Sequence, residues 1–335
     1  MQKIIPEKIE TIKGWLPLSN LHIATKWKQA RIFLARDAKR KITNLQYLLI
    51  NILEAPLLAF IIAYFARYYI WTEEQGHVYY FSSNENIPVY IFVSVIVALF
   101  MGMTVSVNEI INEKRTLHRE EFLKLSWSSY LFSKVFLLLV ISAFQTFIYV
   151  LTGNSILEIK SMYMAYWLVL FSAAAFSNLS GLLISSLIKN NVVAYILIPL
   201  ILIPQILFCG VVVDFDKLHK NIGSDEYVPL LGDIMISRWA YEAIMVKQFK
   251  ENDYEKHFFE IEKKMSRYSY LLNFVIPELE DRLAVFDTVK LIKEDTLMTK
   301  NYHLLYNEIN KLKIKFKVDA PEREKRNYQQ ISEWQ

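Results

Sequence analysis

Hydrophobic residues in this chain come in long unbroken runs rather than at alternating positions. The first, LQYLLINILEAPLLAFIIAYFA, covers residues 45–66, and comparable runs recur near 88–107, 130–152, 163–188 and 192–213. Each approaches the roughly 20 residues a helix needs to cross a hydrocarbon core of about 30 Å. In lipid only helices and closed barrels satisfy every backbone group, and continuous runs specify helices. The pattern therefore predicts an all-α integral membrane protein with about five transmembrane helices. Ahead of the first span, Ile23, Trp27, Ala30 and Leu34 recur at steps of four, three and four, one face of a helix. Lys26, Lys28, Arg31, Arg36, Lys39, Arg40 and Lys41 crowd the same segment. That combination predicts an amphipathic interfacial helix within residues 1–44, lying on the membrane surface; a soluble helix packed on a partner is the alternative.

The loops set the orientation. Residues 1–44 and 108–128 are rich in Lys and Arg, whereas 67–87 holds Glu73, Glu74 and Glu85 with Arg67 as its one Lys or Arg. Positive charge favours the inner side, so the first two segments are expected in the cytoplasm. The connections near 153–162 and 189–191 then alternate outside and inside, and five spans leave 214–335 as an extracytoplasmic helical region. A sixth span is not legible. YVPLLGDIMISRWAYEAIMV carries Asp233, Arg238 and Glu242, each costing about 2.5–3.5 kcal/mol at a helix centre. The chain is expected to stop before a final helix, or to return through a weak one.

Composition removes several functions. The net charge of +4 is spread over the loops, giving no nucleic-acid surface. One cysteine, Cys209, sits in an apolar run and excludes an intrachain disulfide. None of the eight glycines belongs to a G-x-x-x-x-G-K-[ST] loop, so nothing here cradles a nucleotide. G-x-S-x-G, H-E-x-x-H and Cys/His metal patterns are missing as well, and the six histidines are scattered. No catalytic residue, metal site or cofactor is expected within the chain.

The stretch NEIINEKRTLHREEFLKLSWSSYLFSK, residues 108–134, is the densest in charge. Glu109 and Glu113, with Arg115 and Arg119, stand on one stretch at helical spacing, and opposite charges three to four apart can pair along a helix surface. A solvated connector would do as much, yet a docking surface for a soluble partner needs this length and density. The segment resembles the connection between the second and third spans of ABC type-2 exporter permeases, especially the ABCG (white) subfamily. The matching positions are Glu109, Glu113, Arg119-Glu120, Ser126, Tyr130 and Ser133-Lys134. WKQARIFLARDAKRK, with its Arg36-Asp37 ending, looks like the family's connecting helix. SRWAYEAIMVKQF, including Arg238, Trp239, Tyr241, Glu242, Ala243 and Phe249, resembles the segment after its external re-entrant helices. The ordered set covers roughly residues 20–250. Ser126 stands where the family often has Gly, and one cysteine cannot supply the disulfides of eukaryotic members.

The resemblance implies an export permease of a bacterial inner membrane, driven by a partner or fused nucleotide-binding domain that holds ATP and Mg. Glu109, Glu113, Arg115, Arg119, Glu120 and Glu121 would couple to that domain, and a second permease copy, identical or not, would complete the pathway. Leu99, Met103, Gln205 and Phe208, on the second and fifth spans, would line a path for a lipid-like or amphipathic substrate. Glu54, followed by Pro56 in the first span, is an intramembrane carboxylate. It either serves the path or fixes helix packing, with Asn51 or Asn178 as partner. Read without the resemblance, the chain also fits a multi-span anchor or sensor whose C-terminal region binds an external ligand or protein.

Overall fold

A computed structural model describes residues 25–73, 76–79, 83–120, 126–219, 227–253, 255–292 and 306–312. The chain divides into two units, Met1–Glu255 and Lys256–Gln335. In the first, helix α1 (Lys26–Thr43) leads into α2 (Leu45–Ala66), a two-stranded hairpin, and α3 (Ile87–Ser106). A 3₁₀ turn (Ile111–Glu113) and the short α4 (Lys114–Glu120) follow, then α5 (Trp127–Ile156), α6 (Tyr163–Leu187) and α7 (Asn191–Leu207). The unit ends in α8 (Leu230–Ile234) and α9 (Ile236–Glu251). The hairpin pairs β1 (Ile70–Thr72) with β2 (Gly76–Val78), Trp71 opposite His77, and is a small exception to the all-helical expectation.

Four helices are long and apolar enough to cross a membrane, while Asn191–Leu207 is shorter. At 1.5 Å per residue α7 reaches about 26 Å. The expected fifth span, 192–213, therefore ends early. Pro204 cannot donate to the helix ladder, and by Gly210 the backbone has turned to a φ of +81°. α5 begins three residues before the expected start at Tyr130, because Ser126 accepts a hydrogen bond from the Ser129 amide as its N-cap. Asn44 and Asn190 cap α2 and α7 in the same way.

α3 is the central helix, touching α2, α6, α7 and α9. Its closest neighbour is α6, and the sequence makes that approach possible at two glycines. A Cβ on Gly102 would lie 2.6 Å from the Ala174 carbonyl oxygen, and one on Gly181 would run into Ser106 Oγ. Without a hydrophobic force between helices in lipid, such small residues let backbones meet and dispersion act. α2 uses the same device: Ala55, Ala59 and Ala63 are fully buried, while Leu49, Leu53, Phe60 and Tyr64 face outward. α7 likewise buries Ala194, Ile198 and Leu202 and exposes Val192, Ile196, Leu200 and Ile203.

α1 packs a largely polar face against the bundle. Gln29, Ala30, Phe33, Asp37 and Lys41 are buried, whereas Trp27 is 77% exposed. Residue 23 lies outside the described residues. Polar partners on α5 decide the rotation: Gln29 Oε1 accepts from the Ser126 amide at 2.8 Å, and the Lys26 carbonyl accepts from Ser129 Oγ at 2.9 Å.

The charged segment that failed as a sixth span is resolved by a break at Met235. α8 and α9 are separate helices, with Asp233 and Arg238 paired across the break. Trp239 Nε1 donates to the Asp233 carbonyl at 2.8 Å, and the Arg238 guanidinium stacks on that indole. α9 then packs on α3, α6 and α7. Its first turn is held by Gln205, whose side chain accepts from the Ser237 amide at 3.0 Å. Its last turn is held by Tyr166, which donates to Gln248 at 3.0 Å. The hairpin, the 153–162 connection and α9 thus gather at one end of the bundle, and α1 and α4 at the other.

In the second unit, α10 (Glu255–Tyr270) runs through a π turn (Leu271–Val275) into α11 (Ile276–Ile292), and a short helix covers 306–312.

Candidate functional site

Where α1, the end of α3 and the start of α5 meet, six charged side chains converge. Lys134 is the centre. It sits in the second turn of α5 and is 1% exposed, with Nζ 2.7 Å from Asp37 Oδ2, 2.9 Å from Glu113 Oε1 and 3.2 Å from Glu109 Oε2. Arg40 pairs with Glu113, and Lys41 with Glu109. Tyr130 donates to Glu113 at 2.8 Å, and Lys41 donates to Tyr47 at 2.8 Å. Three carboxylates thus balance three cations, as burial requires: an unpaired charge here would cost several kcal/mol.

Local structure brings these groups together. Asp37 and Lys41 stand one turn apart on the buried face of α1, and Phe33, another turn back, meets the Tyr130 ring edge-on at 5.7 Å. After α3 the chain tightens into the 3₁₀ turn, which carries Glu109 and Glu113 to the same side. Ser185 Oγ fixes that turn by accepting from the Ile110 and Ile111 amides at 2.9 and 3.1 Å. Burial, the largest influence, pushes the Asp37 carboxyl above its ordinary range; Lys134 only partly opposes it. Asp37 meets Lys134 as an ion pair, without a well-aligned hydrogen bond to either oxygen.

Residues 28–249 match the family model described as ABC-2 type transporter. The chain belongs to that family. No curated relative matches it. The chain is therefore an ABC transporter permease domain, a multi-pass membrane component, and among the described residues its regular structure is helical but for the hairpin.

In this ABC-2 domain the residues expected at a coupling surface separate into two groups. Glu109 and Glu113 do not pair along their own helix with Arg115 and Arg119; they point inward, to α1 and α5. Arg115 and Arg119 are exposed on α4. Glu120 ends that helix, and Glu121 lies outside the described residues. The segment 108–128, read as a coupling helix, contains a 3₁₀ turn that runs into α4, with 121–125 outside the described residues.

The positions expected on a substrate path are occupied by packing. Leu99 and Met103 are 2% and 3% exposed in the central core. Gln205 holds the first turn of α9, and its backbone carbonyl also accepts from Ser237 Oγ at 2.6 Å. Phe208 is half-buried where α7 ends. Glu54 pairs with neither expected partner. Asn51 donates to the Tyr47 carbonyl and accepts from Gln145, and Asn178 donates to Ser142 Oγ at 2.8 Å. Among the described residues no group of His, Cys, Asp and Glu could hold a metal ion.

The ion cluster itself was not visible as a set. Glu109, Glu113, Tyr130 and Lys134 belonged to one motif and Asp37 to another, while Arg40 and Lys41 read as generic basic residues. The available signal was Lys134, a lone cation at the start of an apolar run: burial without partners would be prohibitive.

Proposed function

We propose that this ABC-2 domain is the permease of an ATP-driven exporter and that the buried ion cluster transmits motion from a nucleotide-binding partner to the spans. The cluster carries this reading. It ties the amphipathic helix α1 and the turn ahead of α4 to the ends of α3 and α5. A partner that displaces α1 or α4 therefore moves two spans with them, because separating the helices exposes buried charge. By the charge rule this end of the bundle is cytoplasmic, in a bacterial inner membrane. ATP and Mg belong to the partner, and this chain supplies no cofactor. The exposed pair Arg115 and Arg119 on α4, with the outer face of α1, forms the contact. A second permease copy completes the pathway, and the unpaired outer face of α7 is where we place it. The apolar spans suit a lipid-like or amphipathic substrate.

The test is ATPase stimulation. The protein is isolated from native membranes with its ATP-binding partner and reconstituted, and turnover is measured with and without Arg115→Glu/Arg119→Glu. Stimulation should fall several-fold while the thermal unfolding midpoint holds. If no ATP-binding protein accompanies the chain, or stimulation is unchanged, the reading is wrong.

A further inference from the structure

The second unit opens with a helix whose faces differ sharply. On α10, Phe258, Ile261, Met265 and Tyr268 follow one another at three- and four-residue steps, and Leu272 continues the line into the π turn. Successive members of such a series stay within about 60° of one another around a helix. Ile261, Met265 and Leu272 are 58%, 65% and 63% exposed. Lys256, Lys263 and Arg267 fall on the opposite face, with Lys264 at its edge. Over α10 there are four Lys and Arg residues against three acidic ones, Glu255, Glu260 and Glu262, and the face opposite the stripe holds Lys256, Lys263 and Arg267 with Glu260.

We propose that α10 lies flat on the membrane surface, its Ile261–Met265–Leu272 stripe in the acyl boundary and its basic face towards anionic lipid headgroups. Three observations select lipid over other occupants. The polar face carries an excess of Lys and Arg, the complement of a phosphate layer. The stripe is narrow and mixed, Ile and Met with aromatic neighbours, which suits shallow insertion and is too little for a span. Finally, the chain enters α10 directly from a fixed point of a membrane-embedded bundle. Gln248 is bonded to Tyr166 and Asp253 to Ser161, and α10 begins at Glu255. A helix tethered in the chain to a membrane-embedded unit meets lipid at high local concentration, so even weak interfacial affinity suffices.

The proposal rests on membrane insertion of the first unit and not on transport. Its test uses the full chain in nanodiscs. In a Cys209→Ala background, single cysteines replace Met265, Leu272, Lys263 and Arg267 in turn and carry nitroxide labels. Collision with oxygen, which concentrates in lipid, is compared with collision with a water-soluble nickel chelate. The oxygen-to-nickel ratio should be several-fold higher at 265 and 272 than at 263 and 267. Lys264→Gln/Lys256→Gln should reduce that contrast in discs containing phosphatidylglycerol and leave it unchanged in phosphatidylcholine alone. Equal access to the nickel chelate on both faces would overturn the proposal. So would protection of 265 and 272 from both reagents, which would mean that protein, from this chain or a second copy, covers the stripe.

Discussion

Lys134 is the residue on which the proposed linkage can be tested most directly. Replacing it with Met keeps the bulk and removes the charge shared by three carboxylates at 2.7, 2.9 and 3.2 Å. The loss does not fall on them equally. Glu113 keeps Arg40 and Tyr130, and Glu109 keeps Lys41. Asp37, 1% exposed, keeps no close cation among the described residues: Arg36 stands at 4.0 Å and Arg40 acts on it without a direct pair. Breaking a buried pair from one side costs about 3–5 kcal/mol. With about 2–4 °C per kcal/mol for a domain of this size, Lys134→Met should lower the unfolding midpoint in detergent by roughly 10 °C. Because the damage is concentrated at Asp37, the double variant Asp37→Asn/Lys134→Met should regain more than half of it, a coupling measured by the double-mutant cycle. A Lys134→Met midpoint within about 2 °C of the parent would refute the reasoning. So would a double variant no more stable than the single one.

Two further outcomes follow from the same geometry. Gly102→Val places a side chain against the Ala174 carbonyl and Ser177 and should cost about 1–3 kcal/mol through overpacking, visible as a lower unfolding midpoint. Burial raises Asp37, so its protonated form is favoured in the folded state. Its contribution to stability is complete below the unfolded-state value of 3.8 and is lost as pH rises through the raised folded value. The difference in unfolding midpoint between parent and Asp37→Asn should therefore shift against the parent as pH increases from 4 to 7. A pH-independent difference would contradict this assignment.

Unbroken hydrophobicity in the sequence determined which segments enter the membrane, because a run of apolar residues long enough to span has no other stable home. The limits of α2 (Leu45–Ala66) and α6 (Tyr163–Leu187) agree with the hydropathy reading to within a residue. The ordered motifs around Glu109, Tyr130 and Arg238 were enough to indicate the family. The end of α7 was less legible: apolar residues continue to Val213, but the helix ends at Leu207 and the backbone has turned by Gly210. The break at Met235 was likewise hidden, since a charge count excludes a span without showing that Asp233 and Arg238 satisfy each other.

The partners of each charge were decided by tertiary structure alone. Spacing within one helix suggested that Glu109 and Glu113 lie on an outer surface. Their partners are instead Arg40 and Lys41, some seventy residues earlier in the chain, and Lys134, on the far side of α4. Local periodicity records which face of a helix is apolar, and a charge neutralised from another helix leaves no trace in it. The same limit governed α1, whose hydrogen bonds to Ser126 and Ser129 and ion pair with Lys134 the apolar positions did not show. The sequence by itself determined that this chain is a membrane bundle and where most helices run. Only the packed structure decided that its charges form an internal linkage, because pairing energy depends on distance in space and not along the chain.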